Sequence, residues 1–106
     1  AASTAAQTRR TVESGASLLA ARVQGSLEAW EIAAAATRAA ASHRARLQRG
    51  LALGGVRASE LLDARRRVLE AERAELAARA SALGAVARLL LDAHAYWIDE
   101  AHGNTS

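Results

Sequence analysis

Leucines recur every seven residues through the second half of the chain, at Leu62, Leu69, Leu76, Leu83 and Leu90, and Trp97 keeps their register. Seven residues close after two helical turns, so these side chains form one continuous stripe along a helix. A second series, Ala64, Ala71, Ala78 and Ala85, has the same period two positions later. Two residues of helix are about 200° of rotation, which sets the small residues nearly opposite the large ones. A lone amphipathic helix needs one apolar face. Two faces predict a helix with neighbours on both sides. The leucines with Trp97 read as a helix-packing stripe, whereas Trp30, Leu89, Leu91, Tyr96 and the alanine seam are expected to need partners that a homo-oligomer or the rest of a longer chain supplies.

The first half carries a looser helical pattern, with Val12, Leu19, Val23, Leu27, Trp30 and Ala34 stepping by sevens, fours and threes. Residues 1–10 are small and polar and read as a frayed helix start or a disordered tail. The first long helix is expected over residues 11–50. Gly15 and Gly25 interrupt it, either to allow a close backbone approach or at a cost of roughly 1 kcal/mol each. Arg44, Arg46 and Arg49 suit the negative end of its dipole, and Gly50 is a plausible stop. Residues 51–58 read as the hairpin tip, turning at Gly54-Gly55. Ser59 is a candidate N-cap, and Glu60 and Asp63 fall in the first turn of a second helix over residues 59–102. A polar tail closes the chain at residues 103–106. Charges four apart, Asp63 with Arg67, Arg66 with Glu70 and Glu75 with Arg79, mark a solvated flank.

The fold class that follows is all-α: a long antiparallel two-helix coiled-coil hairpin, part of a helical barrel. Rods of roughly 40 residues would be about 60 Å long. Composition sharpens this picture. Of 106 residues 51% count as hydrophobic, yet aromatics are only 3%, and Phe, Met and Pro are absent. Much of the apolar count is alanine, which favours helix but offers little area to bury. The chain is better at making long helices than a self-sufficient core, and of a processed product and a piece of a longer protein the piece is the favoured reading. Cysteine is absent, which removes disulfides and thiolate metal sites.

All fourteen basic residues are arginine, against eleven acids, for a formal charge of +3. So small and interleaved an excess is only a weak argument for nucleic acid or an anionic membrane, and no nucleic-acid partner is expected. Arg65-Arg66-Arg67 fan out around a helix and are flanked by acids, as on a solvated face. No apolar run approaches the ~20 residues of a spanning helix. Asp99-Glu100-Ala101-His102 spells a helicase signature, but a chain with no Lys cannot supply the phosphate-binding loop that works with it. His94, Asp99 and His102 do not share one helical face, so no metal is expected. No Ser-centred nucleophile elbow is present either. Neither an enzyme nor a cofactor is expected.

The stretch from Gly54 to Trp97 resembles the last helical hairpin of the TolC family, the trimeric outer-membrane efflux ducts of Gram-negative bacteria. The family pattern is a turn glycine, an acid, Leu-Leu-Asp-Ala-Gln/Arg-Arg, Ala-Glu and further Ala-rich heptads, often closing near a Trp. It is matched by Gly54, Glu60, Leu61-Leu62-Asp63-Ala64-Arg65-Arg66, Ala71-Glu72, Ala78-Arg79, Leu83 and Trp97. The resemblance implies a homotrimer formed with the rest of the chain, placed in the periplasmic portion of the outer membrane. Membrane contact would come only through β-barrel strands missing here. It implies a tip of Leu53, Gly54, Gly55, Val56 and Arg57 that meets a periplasmic adaptor and, through it, an inner-membrane pump. It also implies that Glu60 and Asp63 ring the pore constriction, where crowded carboxylates attract cations. On the bare residues, acids favoured by the helix dipole explain the pair equally well. Two positions depart from the family: Leu51 replaces a tyrosine, and Val56 an arginine, with Arg57 one place late. The alternatives are the coiled-coil hairpin of a periplasmic adaptor protein and a free-standing helical-hairpin interaction protein. An adaptor hairpin would be flanked by lipoyl-like strands; an interaction protein would carry a recognition motif at its turn.

Overall fold

The computed structural model describes residues 2–103, which form an all-α helical hairpin with no strand among them. Helix α1 runs Ala2–Ala52 and helix α2 runs Ala58–Gly103. Helix α1 therefore begins well before Thr11 and passes Gly50 by two residues; Ala1 and residues 104–106 lie outside the described residues. Alanine supplies much of the early helix. Its threonines are accommodated by donating their hydroxyls one turn back, Thr8 Oγ1 to the Thr4 carbonyl at 3.0 Å and Thr11 Oγ1 to the Gln7 carbonyl at 2.9 Å. The exposed Arg9–Glu13 pair, 3.6 Å apart, adds little more than a few tenths of a kcal/mol. A Cβ built on Gly15 or on Gly25 meets nothing within 4 Å, so neither glycine admits a close neighbour.

The chain divides into two compact units, residues 27–80 and residues 1–26 with 81–106. In the unit 27–80 the seam on α1 is Trp30, Ala33, Thr37, Ala40, Arg44 and Leu47, all half-buried. The facing seam on α2 is Leu61, Ala64, Val68, Ala71, Glu75 and Ala78, of which Leu61, Ala64 and Val68 are buried. In the other unit Leu19, Val23 and Ser26 face the side of α2 that carries Ala82, Ala85 and Leu89. Alternating steps of three and four are the spacing of a coiled-coil seam. In the unit of residues 1–26 with 81–106, residues 19–26 lie beside 81–88 and the earlier residues 12–19 beside the later 89–97, so the pairing is antiparallel.

This arrangement corrects the expectation that the alanine seam, Trp30 and Leu89 need partners from outside the chain: Ala64 is buried and the others are half-buried within the hairpin itself. Ala64 and Ala82, at 2% and 1% exposure, lie in the seam. Leu62, Leu69, Leu76, Leu83, Leu90 and Trp97 all stand in solvent, Leu69 at 59% and Trp97 at 73%. They do not pack α1 against α2. The physical reason lies in the mixture each seam carries, Trp30 and Leu47 with Ala33 and Ala40 on α1, Leu61 and Val68 with Ala64 and Ala71 on α2. Bulk on one helix fits small residues on the other, and two bulky faces would hold the backbones further apart.

Candidate functional site

Three places on the hairpin gather the residues that could act: its tip, the first turn of α2, and a groove in the unit of residues 1–26 with 81–106. The tip is a left-handed glycine cap. Gly54 has φ of 81°, a conformation that costs an L side chain roughly 1–2 kcal/mol. Its N–H donates to the Leu51 carbonyl at 3.0 Å, while the Gly55 N–H donates to the Gly50 carbonyl at 2.9 Å. Together these two bonds are the Schellman pattern, which satisfies carbonyls left open at the end of α1. Val56 then folds back over Gly50, where an added Cβ would lie 2.5 Å from Val56 Cγ2. The result is a short, fully specified turn with Leu53 thrown outward at 88% exposure.

The tip set inferred from the resemblance, Leu53, Gly54, Gly55, Val56 and Arg57, thus falls on one turn, with all but the half-buried Val56 exposed. Arg57 has a backbone role as well. Its carbonyl accepts from the Glu60 N–H at 3.1 Å and the Leu61 N–H at 3.4 Å, which makes Arg57 the residue that opens α2. Ser59 lies inside the helix and is not the cap.

Glu60 and Asp63 share one face of α2, three residues apart, and both are exposed. With His43 and Leu47 of α1 and Ala64 and Arg67 of α2 they line a shallow cavity of about 200 Å³. The neighbourhood is therefore mixed in charge. Across the helix pair His43 is a neighbour that the sequence does not point to. The signal for it is a register between two helices, which one helix alone does not carry.

The groove is larger, about 470 Å³, and it is open. Val12, Ala16 and Leu19 of α1 and Leu89, Ala93 and Tyr96 of α2 contribute to its walls, with Gly15 and Trp97 beside them and Glu13 and Asp92 at hand. Sequence reading placed Trp97 in the leucine stripe and gave Asp92 no role.

Among the described residues no group of three or more His, Cys, Asp or Glu side chains could hold a metal ion. No described helix is long and apolar enough to cross a membrane. Together the tip and the two seams define a class, the coiled-coil helical hairpin. Comparison with protein-family models found no match, nor did comparison with curated proteins or with solved structures.

Proposed function

We propose that this hairpin is a structural segment of a trimeric TolC-like outer-membrane export duct, a stave in its periplasmic tunnel wall with an adaptor-contacting tip. One observation carries the reading. The alanine seam closes the hairpin, and α2 still presents leucines at seven-residue spacing to solvent. A heptad leucine series is what a further helix packs against. A hairpin whose own seam is filled has a second seam for the next hairpin of a wall.

The tip supports the same reading. A Schellman turn locked by Gly50 and Gly54 presents Leu53 on a rigid frame, and an exposed apolar side chain on a rigid frame costs little entropy when a partner covers it. Glu60 and Asp63 follow at once, so a ring of such tips would bring these carboxylates together at its neck, with Arg67 beside them. No catalysis is assigned. The work is that of a conduit wall, with an outer-membrane location for the assembled duct.

The test uses single cysteines, which the chain otherwise lacks. In the complete duct, Leu69→Cys and Leu76→Cys should resist a water-soluble maleimide, and both should react quickly once the assembly is dissociated. Equal reactivity in both states overturns the stave. Separately, Glu60→Ala with Asp63→Ala should lower conductance and cation preference; an unchanged channel removes the neck role.

A further inference from the structure

The groove of residues 12–19 and 89–97 is the place where the seam of the hairpin fails to close. On α2 the inward series Ala82, Ala85, Leu89 continues three residues later to Asp92, so a carboxylate occupies a position that a coiled coil fills with an apolar side chain. Opposite it the small Ala16 and Gly15 leave space, and a Cβ on Gly15 meets nothing within 4 Å. A void of about 470 Å³ results, within the range of small-molecule sites. Its apolar walls end in two aromatic rings, Tyr96 and Trp97. Its charged members are Glu13 and Asp92, and no basic residue is among the described residues that line it.

We propose that this groove binds an organic cation, a bulky ammonium or aromatic cation whose charge is met by Asp92 and Glu13 and whose apolar body lies against Tyr96 and Trp97. Three features select that chemistry over a neutral apolar ligand. Carboxylates attract the charge. Indole and phenol faces are the side chains that best accommodate a soft cation. A neutral ligand would have to lie beside two carboxylates without relieving their charge. Arg9 lies 3.6 Å from Glu13 in an exposed pair, a weak contact that a bound cation can replace. Asp92 is thus the principal anchor. The site is separate from the tip and shares only Trp97 with the exposed stripe, so its failure in the isolated chain leaves the cysteine test of the stave at Leu69 and Leu76 untouched.

The experiment titrates the 106-residue chain with tetraphenylphosphonium and with tetraphenylborate, ions of one shape and opposite charge. The readout is the indole N–H resonance of Trp97, identified by its loss in Trp97→Phe. Tetraphenylphosphonium should shift that resonance saturably and bind at least about tenfold more tightly there than tetraphenylborate. Asp92→Asn should weaken the phosphonium about fivefold with helicity unchanged. Gly15→Leu, a better helix former whose side chain enters open space, should block it. Equal affinity for the two ions overturns the proposal, as does unchanged phosphonium binding in both variants. A Trp97 resonance that ignores both ions and moves only with protein concentration also overturns it, in favour of a second copy covering the groove.

Discussion

Val56 covers Gly50 so closely that the glycine has no room for a methyl group: a Cβ there would sit 2.5 Å from Val56 Cγ2. Gly50 is still helical, because α1 continues to Ala52. The position therefore opposes two effects. Alanine would be the better helix former by roughly 1 kcal/mol, but β-branched Val56 is stiff and cannot swing its methyl aside without leaving its rotamer. Overpacking of this kind costs about 1–3 kcal/mol, so Gly50→Ala should lower stability by about 1 kcal/mol in urea denaturation. Adding Val56→Ala should restore the loss, and a strictly additive double mutant would contradict the contact.

At Gly54 the obstacle is the backbone. With φ of 81° the residue sits where L side chains are strained, although a built Cβ meets nothing within 4 Å. Gly54→Ala should cost about 1–2 kcal/mol and Gly54→Asn less, since asparagine tolerates the left-handed region. Equal losses for the two would point to some cause other than φ.

Inside the helices the sign reverses. Gly25 and Gly84 are helical, exposed and clear of neighbours. Replacing either by alanine should stabilise the hairpin by about 1 kcal/mol, raising Tm by about 4–8 °C in a domain of this size. A fall in Tm would mean that one of them permits a packing the hairpin uses.

The two seams can be told apart by mutation. Ala64→Leu inserts bulk at a position with 2% exposure and should destabilise the hairpin by about 1–3 kcal/mol. Leu69→Ala, on the solvent side, should change it by no more than about 0.5 kcal/mol. Should Leu69→Ala prove the more damaging, the leucine stripe is the seam after all.

Glu60 lies in the first turn of α2, where the dipole favours an acid. Glu60→Ala should cost about 0.3–1 kcal/mol at low ionic strength and progressively less as salt screens it. A loss that does not respond to salt would assign Glu60 a specific contact.

Helix identity, the tip and both heptad series follow from local properties of the chain. Alanine, leucine, arginine and glutamate are helix formers wherever they stand, and the seven-residue spacing sets which side chains share a face. Gly54 and Gly55 mark the reversal because glycine enters the left-handed region without steric cost and two stand side by side there. Which series closes the hairpin is not a local property. Leu62–Leu90 and Ala64–Ala85 have one and the same period, and the choice depends on the mixture both helices bring to the contact, Trp30 and Leu47 with Ala33 and Ala40 on α1, Leu61 and Val68 with Ala64 and Ala71 on α2. The same holds for Asp92 in its groove and for His43 beside Glu60 and Asp63, which become neighbours only once two helices are set in register. Spacing along one chain determines faces; packing between two determines which face is hidden, because buried volume is shared and neither helix carries it alone.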